Sequence, residues 1–355
     1  MTIQPSKRLH YLDMLKGIAI FMVVAGHVLT MCIREIDRAA LFKFIGEIHM
    51  PLFFFISGMV TLRVIDGGKW RLPALGKRAK QLLIPMAVVS TIWIFYFPHS
   101  GLQSPLNSSF SGLWLDEWKN GYWFTLVLFE IILVYAVLAH ILPSLTSAAA
   151  RIAVIAATWV ILGVVAYVLL PGDITGILSI RLTFRFFPAF ITGVLASLYK
   201  ERFDRICRSS TAFTVSILVG GALLYFVCWP WEFPAVPDVV IDAARSALHI
   251  CIAIVAITIV KPWSLEAYAP EAATPHRWAR MWSYLGSNSL AIYLLHYFFL
   301  FPLGFLRPLV LDAALGFVPL LLVSSFFAAA IITVTLGFNR LISPSKPLKM
   351  LLTGA

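Results

Sequence analysis

Long apolar runs, broken by short polar or Pro/Gly-rich stretches, repeat along the whole chain. Each run approaches the roughly 20 residues that a helix needs to cross a bilayer. The pattern predicts ten spans, at 12–32, 46–64, 82–98, 121–142, 151–170, 183–199, 211–229, 240–261, 283–305 and 314–338. The runs are continuous rather than alternating, which argues against a β-barrel. No linker, low-complexity tract or internal repeat divides them, so residues 1–355 read as one membrane-embedded domain, an all-α polytopic bundle. No loop is long enough for a separate soluble domain, so any chemistry has to sit within or between the helices.

Composition sharpens this picture. Of the 355 residues, 60% are hydrophobic and 13% are charged, against about 45–50% and about 25% in soluble domains. Soluble, fibrous and disordered classes are thereby excluded. The net charge of +11 would suggest a nucleic-acid partner in a soluble protein, but in a membrane protein it marks Lys/Arg-rich cytoplasmic loops. With the N-terminus inside, nineteen of the 28 Lys and Arg fall on the inner side and seven outside. Both termini are therefore expected in the cytoplasm, and nucleic acid is not expected. Lys7 and Arg8 precede an apolar run as in a signal peptide, but the run holds His27 and no small-x-small cleavage site, so it reads as a retained span. Cys32, Cys207, Cys228 and Cys251 are far apart without CxxC spacing, indicating neither a disulfide framework nor a metal site.

Titratable groups at membrane depth are costly, which makes each a functional candidate. Lys16 and His27 lie eleven positions apart in the first span, a net rotation of about 20° and an axial distance of about 16 Å, so they share one face. That face suits a polar path through the bundle; equally, Lys16 can snorkel to the interface and His27 can bond a neighbouring helix. His27 stands roughly 22 Å above the inner boundary and His49 about 5 Å inside the outer one, so both fall in the outer third of a core of about 30 Å. Two histidines at one depth on adjacent antiparallel spans can face each other, and imidazole suits general base work near neutral pH. No third ligand suggests zinc. Glu47 can orient an imidazole or sit at the interface. Glu130, about 14 Å into the fourth span, needs a partner, with Arg185 the candidate. Tyr293 and His296 either support a site or join helices by hydrogen bonds, and Ser57, Gly58 and Gly193 allow close helix approach. No GxSxG elbow, Walker loop or HExxH is present.

These residues fall in a familiar order. Asp13-Met14-Leu15-Lys16-Gly17-Ile18 leading to Gly26-His27 resembles the opening of the acyltransferase-3 family of membrane acyltransferases. His49-Met50-Pro51-Leu52-Phe53-Phe54-Phe55-Ile56-Ser57-Gly58 is similar to its second motif, and Lys77-Arg78-Ala79-Lys80-Gln81-Leu82-Leu83-Ile84-Pro85 to its third. Tyr122-Trp123-Phe124, Phe190-Ile191-Thr192-Gly193 and Leu285-Gly286-Ser287-Asn288-Ser289 through Tyr293 and His296 complete a likeness that is nearest to the fucose 4-O-acetylase-like branch. Two departures stand out: Lys16 occupies a place where many members carry Arg, and Lys80 and Gln81 follow Arg78 where many have a second Arg.

The resemblance implies a multi-pass enzyme of the bacterial cytoplasmic membrane that takes an acyl group, usually acetyl from cytoplasmic acetyl-CoA. It implies delivery to a sugar hydroxyl of a surface or lipid-linked glycan. His27 and His49 match its two most specific motifs and become the expected catalytic pair, with His27 as general base. Lys16, Arg63, Arg78 and Lys80, with Lys69, Arg71 and Lys77 around them, are expected to hold the CoA phosphates, since Arg binds phosphate bidentately and Lys as a point charge. Glu130, Arg185, Ser57, Tyr293 and His296 are the expected supporting residues. Acyl-CoA, a carbohydrate acceptor and membrane lipids are the expected partners, with no metal. The alternatives are a transporter or flippase of a glycan or lipid-linked intermediate, and a structural subunit of a glycan-assembly complex.

Overall fold

The computed structural model describes residues 9–33, 40–64, 72–102, 109–229, 235–264, 277–306 and 317–354. Among these residues every regular element is helical. The long helices are α1 (His10–His27, continued by the π-helical turn Val28–Ile33), α2 (Ala40–Val64) and α3 (Leu72–Tyr96). A short α4 (Phe110–Leu115) precedes α5 (Trp123–Ile141) and α6 (Ala148–Val164), and a short α7 (Gly172–Ile177) precedes α8 (Ile180–Leu198). Then follow α9 (Lys200–Cys207), α10 (Ser210–Cys228), α11 (Asp238–Val260), α12 (Arg277–Ser287), α13 (Ser289–Leu295), α14 (Phe317–Ile342) and α15 (Lys346–Thr353).

Nine helices among the described residues are long and apolar enough to cross a membrane, and the chain is a polytopic helical membrane protein. Where the sequence predicts a span at 283–305, the structure instead has α12, α13, a 3₁₀ turn at His296–Phe299 and an irregular stretch. The break falls at Asn288. Its backbone N–H is shared between the Leu285 and Tyr284 carbonyls, at 3.1 and 3.3 Å, and its side-chain Nδ2 donates to the Tyr284 carbonyl at 2.9 Å. Local side-chain bonds of this kind compete with the helical ladder.

The chain divides into two compact units. Unit one contains Met1–Met22, Glu47–Asp66 and Ala189–Ser289. Its core packs Tyr11, Leu15, Phe55, Ile56, Ala253 and Ile257. Two helix crossings bring backbone against backbone. A Cβ on Gly58 would lie 2.9 Å from the Phe190 carbonyl carbon, and one on Gly193 would lie 2.8 Å from that of Phe55. Gly17 and Gly286 form a second reciprocal pair, against Trp282 and Asp13. Small residues allow such approach where apolar helices cross. Unit one also holds an ion-pair cluster that the sequence reading did not anticipate. Arg245 of α11 donates through Nε to Glu47 at 3.0 Å and through Nη1 to Asp242 at 2.7 Å.

Unit two contains Val23–Gly46, Gly67–Pro188 and Leu290–Ala355. Here α3 packs against α5 and against the carboxyl-terminal α15. An aromatic cluster fills its interior: Tyr297 lies 4.9 Å from Tyr122 and 5.4 Å from Trp93, ring centre to ring centre. Near it the chain turns through three successive residues with positive φ, Lys119, Asn120 and Gly121. Buried Lys119 fastens this turn, its Nζ donating to the carbonyls of Trp114 at 2.9 Å and Gly176 at 2.6 Å. Burial pushes the Lys119 ammonium below its ordinary value, while the charges of Glu130, Asp116 and Glu117 act against that shift.

Candidate active site

His27 closes α1, where the helix loosens into the π-helical turn; such turns recur at functional sites. Its half-buried imidazole lies in unit two beside two side chains from the far end of the sequence. Nε2 of His27 is hydrogen-bonded to the Tyr297 hydroxyl at 3.3 Å, and the His296 ring stands edge-on to it with centroids 5.1 Å apart. His296 opens the 3₁₀ turn and is fully buried. Its Nδ1 lies 2.9 Å from the Ile292 carbonyl. A carbonyl only accepts, so Nδ1 carries the proton and Nε2 presents a lone pair. That lone pair meets no hydrogen-bonding atom among the described residues.

The tyrosines lock this corner to the 119–121 turn. Tyr293 donates to the Gly121 carbonyl at 2.7 Å and accepts from the Phe124 N–H at 3.3 Å, and Tyr122 donates to the Leu294 carbonyl at 3.3 Å. The Tyr297 ring sits directly over Gly121, where a Cβ would overlap its hydroxyl and lie 2.8 Å from Cζ. Farther on, the Leu303 N–H donates to the Cys32 carbonyl at 2.8 Å, tying the irregular segment back to the turn that follows His27.

The structure thus gathers His27, Tyr293 and His296 and adds Tyr297, Tyr122 and Gly121. Tyr297 was missed in the sequence, although the spacing of Tyr293, His296 and Tyr297 places the three on one helical face. His49 belongs to unit one, half-buried on α2 two residues after Glu47, whose carboxylate is held by Arg245. Pro51 lies two residues beyond it inside α2, and a proline there leaves the Glu47 carbonyl without its helical donor. Ser57 lies in unit one beside the Gly58 crossing, and its carbonyl accepts from Thr61 at 2.7 Å.

The expected Glu130–Arg185 pair takes another form. Thr183 donates to Glu130 Oε2 at 2.5 Å, and Oε1 has no partner among the described residues. Arg185 is half-buried two residues after Thr183 on α8. Lys16 meets Asp13 at 3.7 Å on its own helix in unit one. Arg78 is half-buried near the start of α3, with Lys77 and Lys80 exposed beside it. Among the described residues the Arg78 guanidinium has no hydrogen bond, ion pair or ring contact. The Arg63 side chain, with Lys69 and Arg71, lies outside the described residues. No group of three His, Cys, Asp or Glu side chains able to hold a metal occurs among the described residues.

Comparison with known proteins covers almost the same ground. The acyltransferase-3 profile, described as an acyltransferase domain, matches residues 9–338. Nodulation protein NolL of Sinorhizobium fredii is 32% identical over 228 residues, 61% of this chain and 54% of that protein. Nodulation protein NolL of Mesorhizobium japonicum is 37% identical over 103 residues, 26% of this chain and 27% of that protein. The chain therefore spans about half the length of the first of these curated relatives. No solved structure matches. With the histidine–tyrosine corner and its surrounding helices inside the matched stretch, the chain belongs to the acyltransferase-3 family of membrane acyltransferases.

Proposed function

We propose that the protein is an O-acetyltransferase of the bacterial cytoplasmic membrane, taking acetyl from cytoplasmic acetyl-CoA and placing it on a hydroxyl of a surface or lipid-linked glycan on the outer side. The observation that carries this reading is the buried corner in which His27 Nε2 faces the Tyr297 hydroxyl at 3.3 Å, beside the unfilled lone pair of His296. In the reaction His27 removes the proton of the acceptor hydroxyl while that oxygen attacks the thioester carbonyl. Collapse of the tetrahedral adduct breaks the C–S bond, and the proton leaves with the CoA thiol. A positioned base contributes about 10²–10⁴ in rate. His296 Nε2 can accept a hydrogen bond from the sugar and hold it for attack, while His49, on α2 in unit one, is the second histidine whose replacement should abolish transfer.

Half-buried Arg78, without an ion pair among the described residues, supports a donor site for the CoA phosphates, because a desolvated guanidinium calls for an anion. Lys77 and Lys80 extend the positive surface, and the excess of Lys and Arg supports a cytoplasmic side for this end of α3. A single cysteine placed in the Pro98–Asn120 loop should react with an impermeant label from outside intact cells, and one at Lys77 should not. The function itself is tested with purified protein in neutral detergent, acetyl-CoA and the glycan fraction of the parent strain. Release of free CoA coupled to a gain of one acetyl mass on the glycan supports the reading. Glycan movement without CoA release would point to a transporter.

A further inference from the structure

The carboxyl-terminal helix has no role in the site as described, yet it is fixed against the donor end of α3. Its anchor is Gly354, in the left-handed conformation with φ +70°, whose N–H bonds the Met350 carbonyl at 3.1 Å. A Cβ there would lie 3.0 Å from the Gln81 carbonyl carbon, so the end of α15 rests on the α3 backbone. Thr353, just before it, is buried and donates its hydroxyl to the Lys349 carbonyl at 2.8 Å. Residues four apart share a helix face, so Lys349, itself half-buried, lies on the buried side of α15. On α3, Arg78 stands three residues before Gln81 and shares its face by the same rule.

Two half-buried cations thus lie on packed faces, Arg78 within about one turn of the Gly354–Gln81 contact and Lys349 within about one and a half. Lys77 and Lys80 on α3 and Lys346 on α15 are exposed. Neither 72–102 nor 317–354 contains an Asp or Glu, and among the described residues none of these five cations has an ion pair. Like charges packed together without compensation repel, and the repulsion grows as water is removed. A phosphate ester bound between the helices would relieve it, with several charged oxygens shared by guanidinium and ammonium donors.

We propose that α15 forms one wall of the donor's phosphate site, with Lys349 and Lys346 facing Arg78, Lys77 and Lys80. This rests on the reading of α3 as the CoA end. The phosphate could come from CoA or from an anionic lipid headgroup, and the experiment separates the two. CoA binding is measured for the full-length protein in neutral detergent, without anionic lipid, for the parent, Arg78→Ala, Lys349→Gln, Lys349→Arg and Lys346→Ala/Lys349→Ala. Each variant is checked first for an unchanged elution profile. The double variant should raise the CoA Kd about tenfold, the effect of losing about 1.4 kcal/mol of charge-assisted bonding. Lys349→Gln should fall between, and Lys349→Arg should bind like the parent. Parental affinity in the double variant, with weakened binding in Arg78→Ala, would overturn the role of α15 while leaving the donor site on α3 standing. Parental affinity in both would overturn the donor reading as well. Unchanged CoA affinity together with loss of the phosphatidylglycerol retained through detergent purification would assign the cluster to lipid and refute the proposal.

Discussion

Replacing Gly121 by Ala puts one methyl group against the residue that holds His27. Gly121 has φ +93°, where an added Cβ costs about 1–2 kcal/mol of backbone strain. That Cβ would lie 2.8 Å from Cζ and 3.4 Å from Cε1 of Tyr297, and closer still to its hydroxyl. Since carbon atoms settle at about 3.5–4.0 Å, the ring has to withdraw by about 1 Å. Tyr297 is buried against Tyr122 and Trp93, so the shift is taken up where the ring meets His27. A 3.3 Å contact lengthened by that much is no longer a hydrogen bond. Displacements of about 1 Å in a catalytic arrangement cost about 10²-fold in rate. Initial rates of CoA release with acceptor present should therefore fall about a hundredfold in Gly121→Ala, alongside a lowered melting temperature. Gly101→Ala is the control, with φ +68° and nothing closer than 3.6 Å, at Pro302. It should carry similar backbone strain and keep its rate. A Gly121→Ala protein acylating at the parental rate would refute the argument that Tyr297 positions His27.

In unit one, Gly193→Ala forces a Cβ to within 2.8 Å of the Phe55 carbonyl carbon and 3.0 Å of the Met59 nitrogen. Overpacking of this kind costs about 1–3 kcal/mol, so the detergent-purified variant should melt earlier; Gly46→Ala, with open space around it, should not. Lys119→Met removes the ammonium that bridges the Trp114 and Gly176 carbonyls, of which Gly176 keeps the Ser179 N–H at 3.2 Å. It should destabilise by about 2–3 kcal/mol, and an unchanged melting curve would show that Lys119 does not hold the turn.

The spans were legible because continuous apolar runs of this length leave a helix no alternative in lipid. The 283–305 run was harder to read, since apolar composition continues through it while Asn288 ends α12 with its own side chain. His27 is legible as a candidate because a titratable group at membrane depth is costly. Its ring neighbours were not, because Tyr297 stands 270 positions away and no periodicity links two such distant segments. Tyr122, Tyr293 and His296 each belong to sequence motifs, yet motifs carry no distances and only the fold groups them. From the sequence Glu47 reads as an orienting or interfacial group; its partner, Arg245, lies on α11, and the signal is Asp242 and Arg245 three apart in an apolar helix. Glu130 takes Thr183 rather than Arg185, a choice set by which face of α8 meets α5 and not by charge.

The central claim is that His27 is the base. Glutamine keeps much of the size and the hydrogen-bonding capacity of histidine but cannot take up the proton. The most direct measurement is acetyl transfer to the glycan by purified His27→Gln, beside CoA binding on the same preparation. Transfer should fall by about 10²–10⁴ while CoA binds as in the parent. Transfer at close to the parental rate would contradict it and leave His27 with a structural role only.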